Sequence, residues 1–356
     1  MRILYLSAPA DIVKLGGIQR YEHDVGEAIA ARGHDVRWLP CRPAEALTQL
    51  TWRDRVPAPA YWTSFYFWRR TYFEDFRFHQ HTARRVRDAC RDFAPDLVHS
   101  FHLYNAGALA APCPVSVTCH GLEVQAIPPV KRMLDRSAGV HAVSAFTASR
   151  ARHVSRGVEP QVLSWGVRRQ PPAADKTYDL ITVGRLVRRK NVETVLRALP
   201  LLPGLRYVIV GEGPERASLQ TLARALGLTT VEFAGEVSDD RLHELFARSR
   251  LFVMVPRTSD DDFEGLGLVY YEAHGYGLPV VAADGAGVPD AVGDAGILVK
   301  APDDAESLAR AIASALAPHT YDELVAKVMA RQRTHSWERH IDAFEQWHTA
   351  VARGRR

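Results

Sequence analysis

The chain has 356 residues, and 47% of them are hydrophobic. This length exceeds what one hydrophobic core usually supports and predicts two domains. Its four cysteines form no CxxC pair and lie beside no histidine cluster, so the sequence favours neither a zinc site nor a disulfide framework and suits a reducing, cytoplasmic compartment. The opening MRILYLSAP is too short an apolar run for a signal peptide, and no run approaches the roughly 18 apolar residues that cross a bilayer.

Charge is distributed unevenly along the chain. Residues 1–170 carry 23 Lys and Arg against 15 Asp and Glu, a net of +8, whereas residues 171–356 carry 22 against 26, a net of −4. A basic first half favours a polyanionic or membrane-surface partner, although scattered arginines on solvated helices would produce part of the same imbalance.

Short strand-like runs alternate with amphipathic segments of helical length throughout the chain. In the first half, the predicted strands are 2–7, 35–39, 96–99, 115–118, 140–143 and 161–163, and the predicted helices are 17–31, about 61–93 and 145–152. Residues 168–178, RRQPPAADKTY, interrupt the alternation with two prolines and polar residues, and we interpret them as an interdomain linker.

After the linker the alternation resumes. The predicted strands are DLITVG, YVIVGEG, VEFAGEV, LFVMVP, PVVAA and ILV, and the predicted helices start at Asn191, Pro214 and Asp239 and lie near 305–317, 321–333 and 337–352. This order predicts an α/β protein with two doubly wound, Rossmann-like domains in tandem. Because ligands of such sheets bind at the carboxyl ends of the strands, we expect the two sets of strand ends to face one central cleft.

Two glutamates stand out in FEGLGLVYYEAHGYGLPVVA, residues 263–282. A helix through Glu264 and Glu272 would separate them by about 12 Å along its axis, whereas glycosidase carboxyls lie about 5 Å or about 6.5–9.5 Å apart. This spacing fits two carboxylates that bind different parts of one long ligand better than it fits an acid/base pair. An equal alternative is that Glu264 is a solvated loop acid and Glu272 an ordinary helix residue. The amides of Leu266, Gly267 and Leu268, at the start of the helix, would suit a phosphate.

Three further features lie at predicted strand ends. In ITVGRLVRRKNVETVLRAL, residues 181–199, Arg185 and Lys190 follow a strand that ends at Gly184, where a diphosphate would be cradled. In the first half, Gly16 and Gly17 form a loop before the first helix, and His120 of TCHGLEV follows a strand. Each feature alone is as compatible with surface charge, a plain turn or a structural histidine.

Together, these motifs resemble the retaining GT-B glycosyltransferases of family four. The resemblance runs from RILYLS through RGHDV, HAVSAFT, VGRLVRRKN, VGEGPE, FAGEVSDDRLHELFARS, the E-x7-E segment and GVPDAV to SWERHI. It implies an N-terminal acceptor-binding domain, residues 1–168, and a C-terminal nucleotide-sugar-binding domain, residues 169–336. A last helix, about 337–356, would pack back on the first domain.

The resemblance also implies roles for individual residues. Arg185 and Lys190 would bind the donor diphosphate, with Gly184 and the Gly16–Gly17 loop beside it, and His120 would lie near the reacting sugar carbon. Glu272 would hold the ribose, and Glu264 the donor sugar and distal phosphate. The resemblance implies that the nucleobase rests on backbone groups of Gly235, Glu236 and Val237. It implies that the phosphate lies on the backbone of Gly265, Leu266, Gly267 and Leu268.

The implied reaction moves a sugar from a nucleotide-diphospho-sugar to an acceptor hydroxyl with retention, without cofactor or metal. No carboxylate is an evident nucleophile, so a front-face mechanism fits best. Departures from the family's pattern are Trp165, Arg168, Arg257 and the acidic loop TSDDDF; Asp260 and Asp262 form a DxD pattern, which we interpret as solvated acids and not as a metal site. This loop leaves the donor sugar open.

An aromatic and basic region covers residues 52–91. Eleven of the 32 aromatic residues lie between Trp52 and Phe78, interleaved with arginines. Helical spacing assigns some of them to a core, but a peripheral contact with an anionic membrane, or with a lipid-linked acceptor, is an equally weighted hypothesis. No recognition motif for nucleic acid accompanies the region.

Several alternatives stay open. A nicotinamide-dependent dehydrogenase would need GxGxxG, and VIVGEGPER supplies Gly211 and Gly213 but Arg216 in the third position. A non-catalytic relative that only binds nucleotide-sugars is a second alternative, but such a protein would usually have lost one of its four charged site residues. Here all four are present, namely Arg185, Lys190, Glu264 and Glu272. The sequence predicts a glycosyltransferase of polysaccharide, lipopolysaccharide or glycolipid biosynthesis, cytoplasmic or peripheral on the membrane's inner face, with a soluble small-molecule acceptor as the alternative.

Overall fold

The structure, a computed structural model, describes residues 1–7, 17–40, 68–163, 165–171, 175–260 and 262–354, without the side chains of residues 17–19 and 68–78. The chain divides into two compact units. The first unit comprises Met1–Val143, Thr147–Leu163 and Ile341–Arg356, and the second comprises Ser144–Phe146 and Ser164–His340.

The first unit contains a six-stranded parallel sheet of order β2-β1-β3-β4-β5-β6. Its elements in chain order are β1 (Arg2–Leu6), α1 (Gly17–Ala31), β2 (Asp35–Leu39), α2 (Trp68–Phe93), β3 (Leu97–Ser100), a 3-10 turn (Ala106–Ala110), β4 (Val115–Cys119), α3 (Pro128–Arg136), β5 (Gly139–Ala142), α4 (Ala145–Val154, whose first two residues belong to the second unit) and β6 (Gln161–Val162). Strands β3 and β4 are buried at every position, as expected for a parallel sheet covered on both faces.

The second unit contains a six-stranded parallel sheet of order β12-β11-β10-β7-β8-β9. Its strands are β7 (Tyr178–Val183), β8 (Tyr207–Val210), β9 (Val231–Gly235), β10 (Ser249–Met254), β11 (Val280–Ala283) and β12 (Gly296–Val299). Its helices are α5 (Val192–Ala198), α6 (Arg216–Ala225), α7 (Asp239–Ala247), α8 (Leu268–Gly275), α9 (Val288–Val292), α10 (Ala305–Leu316) and α11 (Pro318–Thr334), with 3-10 turns at Arg188–Lys190 and Leu199–Leu201.

The predicted α/β class with two doubly wound sheets is confirmed, and most strand limits agree with the prediction to within one residue. Helices α3 and α9 were not predicted. Both have proline in their first turn, and α9 is only five residues long. The segment predicted as the linker, residues 168–178, lies within the second unit, whose main part begins at Ser164, and its last residue, Tyr178, already pairs with Ser249 in the sheet. The predicted helical residues 61–67 lie outside the described residues.

The last helix, α12 (Trp337–Ala352), belongs partly to each unit. Residues 341–352 belong to the first unit, where Phe344 and His348 are fully buried and the ring of His348 lies 4.8 Å from that of His99. In the described parts of the chain, no helix combines the length and the apolar composition that a bilayer-spanning helix needs.

Candidate functional site

The second sheet changes direction of growth between β7 and β10. These two strands are neighbours in parallel register, with Leu180 opposite Leu251, although 65 residues of chain separate their ends. A crevice opens at such a reversal of strand order, outside the carboxyl ends of the strands. The loops that leave β7 and β10 there carry the cationic and the glutamate motifs.

These two loops are joined by ion pairs at their centre. Lys190 Nζ lies 2.5 Å and Arg189 Nη1 2.6 Å from the same oxygen, Oε2 of Glu264. Arg189 also reaches Asp262, with Nε 2.8 Å from Oδ1. The Glu264 side chain is only 14% exposed, and burial opposes its ionisation, but the charges of Lys190 and Arg189 outweigh burial and hold its pKa below the usual value. Glu264 is therefore a carboxylate at neutral pH.

Arg185 occupies a different position in the same loop. Its side chain is exposed, and among the described residues it makes no ion pair or side-chain hydrogen bond. Gly184, immediately before it, has φ of +157°, and a Cβ placed there would lie 3.7 Å from Cε of Lys190. A free guanidinium and a paired ammonium thus follow the end of β7, and both can bind an anionic ligand there.

The loop from Gly265 to Leu268 leads from Glu264 into α8. Gly267 is the N-cap with φ of +80°, a left-handed conformation that favours glycine. In the described part of the chain, the amides of Leu266, Gly267 and Leu268 donate no backbone hydrogen bond. These amides are unpaired donors at a helix N-terminus, a position that favours anions.

The remaining predicted donor contacts lie in α8 and after β9. Glu272 is half-buried in the middle of α8. Burial, and to a lesser extent the charge of Glu272, raises the pKa of Tyr276 to about 12. Gly235 ends β9 with φ of +73°, and a Cβ there would come within 2.9 Å of Nη1 of Arg216. Glu236 and Val237 follow in the loop before α7.

The glycines of VGEG have a packing role. A Cβ at Gly211 would lie 2.1 Å from the carbonyl oxygen of Gly184, and one at Gly213 would lie 2.3 Å from that of Leu186. Backbone hydrogen bonds join the loops at the same place, from the amide of Leu186 to the oxygen of Glu212 and from the amide of Glu215 to the oxygen of Leu186. These glycines let the loop after β8 support the loop after β7.

His120 lies in the first unit, directly after β4. Its Nε2 is 2.9 Å from the carbonyl oxygen of Phe101, which can only accept, so Nε2 carries the proton and Nδ1 is left as an acceptor. Burial lowers the pKa of His120 to about 4, against a smaller opposing effect of that hydrogen bond. The imidazole is neutral at physiological pH. Gly17 begins α1, and Gly16 lies outside the described residues.

Glu123 is a further buried group beside His120. It is 5% exposed, and its Oε1 accepts a short hydrogen bond from the backbone amide of His120. Burial raises the pKa of Glu123 to about 7, although hydrogen bonds from the amides of this loop pull in the other direction. The hydrogen bond between the Glu123 carboxyl group and the backbone of His120 closes the loop that carries the histidine.

Sequence reasoning missed Arg189 and Glu123. Arg189 stands between two other cations in VRRKN, and the motif gives no signal of which of them faces Glu264. The acid in HGLEV is a weak signal, because its burial depends on tertiary packing. Asp262 was interpreted as a solvated acid; its side chain is 59% exposed, in agreement with that interpretation, and it also pairs with Arg189. Among the described residues, no group of three or more His, Cys, Asp or Glu has a metal-binding arrangement.

The departures from the family's pattern also have defined contacts. Arg168 lies over the ring of Trp337, with Cζ 4.0 Å from its centroid, and Trp165 stacks on His340 at 5.4 Å. They form an aromatic cluster within the second unit, which also contacts Tyr271 of α8, with ring centroids of Trp165 and Tyr271 6.4 Å apart. Of the predicted membrane-contact region, residues 52–67 lie outside the described residues, and residues 68–91 form most of α2.

Comparison with known proteins adds family information. A sequence profile described as "Glycosyl transferases group 1" matches residues 165–328, and one described as "Glycosyltransferase Family 4" matches residues 15–170. The chain is 38% identical over 101 residues to a GDP-mannose-dependent alpha-(1-6)-phosphatidylinositol monomannoside mannosyltransferase of Mycolicibacterium smegmatis. It is 36% identical over 95 residues to a lipopolysaccharide core biosynthesis glycosyltransferase of Rhizobium meliloti. Each match covers 26% of this chain and only 26% of the relative.

Similarity of fold extends over the whole chain. A sucrose-phosphate synthase from Thermosynechococcus elongatus superposes with a TM-score of 0.77 at 20% identity, covering 99% of both chains. At this identity the match establishes the fold, which is the predicted GT-B class, and leaves the ligands to be argued from the residues.

Proposed function

The chain belongs to the group 1, family 4 glycosyltransferases, and from this premise we propose that it transfers a sugar from a nucleotide-diphospho-sugar to an acceptor hydroxyl with retained anomeric configuration. The observation that carries the proposal is the cluster of Lys190 and Glu264, with Arg189 and Arg185, at the carboxyl ends of β7 and β10. A diphosphate is bound by cations and a sugar by hydrogen-bond acceptors. Both kinds of group must lie close enough together to contact one donor molecule.

In this proposal the residues of the second unit bind the donor. Arg185 and Lys190 bind the diphosphate, the amides from Gly265 to Leu268 bind the distal phosphate, and the carboxylate of Glu264 accepts hydrogen bonds from the sugar. Glu272 binds the ribose, and the base lies against Gly235, Glu236 and Val237. No metal is required, because the protein supplies the positive charge.

The chemical step follows from these roles. The bond between the anomeric carbon and the phosphate oxygen breaks, and the glycosidic bond forms on the same face of the sugar. The acceptor's proton passes to the departing phosphate oxygen. Lys190 and Arg185 neutralise the charge that grows on this oxygen, which is the main source of rate enhancement in a reaction without a protein nucleophile. Neutral His120 contributes only a hydrogen-bond acceptor, Nδ1, because its Nε2 proton is already donated to the oxygen of Phe101.

The acceptor is proposed to be lipid-linked or a saccharide. The two curated relatives are named for a phosphatidylinositol mannoside and for lipopolysaccharide core biosynthesis, and the first half of this chain is basic, as suits an anionic acceptor. On this support we propose that the protein acts in polysaccharide, lipopolysaccharide or glycolipid synthesis on the cytoplasmic side, at the surface of an anionic membrane.

The experiment is a donor screen with purified protein. UDP-, GDP- and ADP-sugars are incubated with and without lipid-linked acceptors, and release of the nucleoside diphosphate and the mass of any product are measured. One donor should be consumed, and Arg185→Ala and Lys190→Ala should each lose most of the turnover. Absence of turnover across the whole panel, or near-normal turnover in both variants, contradicts the proposal. Acceptor-dependent turnover that is indifferent to anionic vesicles contradicts the membrane part alone.

A further inference from the structure

Arg257 lies in the loop after β10 and reaches the turn that carries Lys190. Its side chain donates from Nη1 to the carbonyl oxygen of Arg188 at 3.2 Å, and its backbone amide donates to the oxygen of Arg189 at 2.8 Å. One residue therefore contacts the backbone of two of the three residues in the turn Arg188–Lys190.

Asp303 anchors this contact from a third loop, the one after β12. Its Oδ1 accepts 2.6 Å from Nε of Arg257 and 3.3 Å from Nδ2 of Asn191. Asn191 follows the turn directly, is 1% exposed, and has φ of 55°. Its Nδ2 also donates to the oxygen of Pro302 at 2.8 Å. The turn is thus held on both sides through Asp303.

Electrostatics explain why such support is needed. The turn places Arg188, Arg189 and Lys190 in sequence, and like charges at this spacing repel one another. Arg257 adds a fourth cation nearby, but its charge is balanced by Asp303 and by Glu193, whose Oε2 lies 3.7 Å from Nη2. The guanidinium can contact a carboxylate and a carbonyl together, because its donors form a planar fork.

We propose that Arg257 and Asp303 form a clasp that positions the Arg188–Lys190 turn for binding the donor diphosphate. Arg257 is a positioning residue here, since it acts through the turn and not on the substrate. The inference rests on the proposed function, because it assumes that Lys190 binds the diphosphate. Without the clasp the turn samples other conformations, and binding then has to order it, which weakens affinity.

The test measures the dissociation constant of whichever of UDP, GDP or ADP stabilises the wild-type protein most. Arg257→Ala and Asp303→Ala should each weaken binding roughly tenfold, and the double variant should be no weaker than either single variant, because both changes break one clasp. Arg257→Lys should recover only part of the loss, since an ammonium cannot span both partners. Thermal midpoints, measured in parallel, should fall by similar small amounts in Arg257→Ala and Arg257→Lys.

The matched control is the Arg310 and Glu306 pair on α10, an exposed pair 3.8 Å apart in the same unit. Arg310→Ala and Glu306→Ala should leave the dissociation constant unchanged. If Lys190→Ala weakens binding while Arg257→Ala stays within about twofold of wild type, the clasp is overturned and the proposed function is retained. If Lys190→Ala also binds like wild type, the diphosphate assignment fails and the clasp fails with it. Additive losses in the double variant contradict the clasp as well.

Discussion

Lys190, in the turn after β7, donates a hydrogen bond of 2.5 Å to Glu264, in the loop after β10, across 74 residues of sequence. The contact exists because β7 and β10 are parallel neighbours, which brings the loops at their carboxyl ends together. It places a cation suited to a phosphate directly beside an acceptor suited to a sugar. The predictions below test what this contact and its surroundings do.

Replacing Glu264 with glutamine should lower turnover about a hundredfold, a loss typical of removing one electrostatic contact to a transition state. The amide keeps the size of the side chain but removes the charge that pairs with Lys190 and Arg189. Steady-state kinetics on the donor from the screen measure it. Glu306→Gln, at an exposed position of α10, is the control and should match wild type; equal turnover in both variants contradicts a role for the Glu264 charge.

Arg189→Ala should lower turnover about tenfold, because Glu264 loses one of its two cationic partners and Asp262 loses its only ion pair within the described chain. Arg189→Lys should be nearly as impaired, since one ammonium cannot reach both carboxylates. Full activity of the alanine variant would show that Arg189 only neutralises surface acids.

Glu123→Gln should change how stability depends on pH. The folded state raises the pKa of Glu123 to about 7, so the folded protein binds this proton more tightly than the unfolded chain does. Its contribution is fully present below about pH 4.5 and is lost as the pH rises through about 7, a change of about 3 kcal/mol.

The measurement for Glu123 is urea unfolding of both proteins between pH 5 and pH 8. The free energy of unfolding of Glu123→Gln, relative to wild type, should rise across this range, because the glutamine never becomes a buried charge. Parallel curves for the two proteins contradict a raised pKa at Glu123.

Gly213→Ala should destabilise the protein by about 2–3 kcal/mol, since the new methyl group would lie within 2.3 Å of the oxygen of Leu186. Gly157→Ala is the control, because a Cβ there meets nothing within 4 Å, and it should change stability by less than about 0.5 kcal/mol. Chemical denaturation measures both. A tolerated alanine at position 213 would contradict the packing role of the glycines in VGEG.

The sequence predicts the fold closely and the site only in outline. Buried parallel strands such as Val280–Ala283 are continuous apolar runs, so their positions and class follow from local pattern. The pairing of Glu264 with Lys190 and Arg189 depends on which strands become neighbours and on loop conformation, which no local pattern encodes. Arg257 illustrates this: the sequence marks it as unusual, and only the structure connects it to Asp303.

The claim that Lys190 binds the donor diphosphate is tested most directly by calorimetric titration of the preferred nucleoside diphosphate into wild type, Lys190→Ala and Lys327→Ala. Lys327 is an exposed lysine of α11 and serves as the charge-matched control. Lys190→Ala should bind at least roughly tenfold more weakly than wild type, as expected for loss of a charged hydrogen bond, while Lys327→Ala should bind equally well. Equal affinity of all three proteins would contradict the assignment.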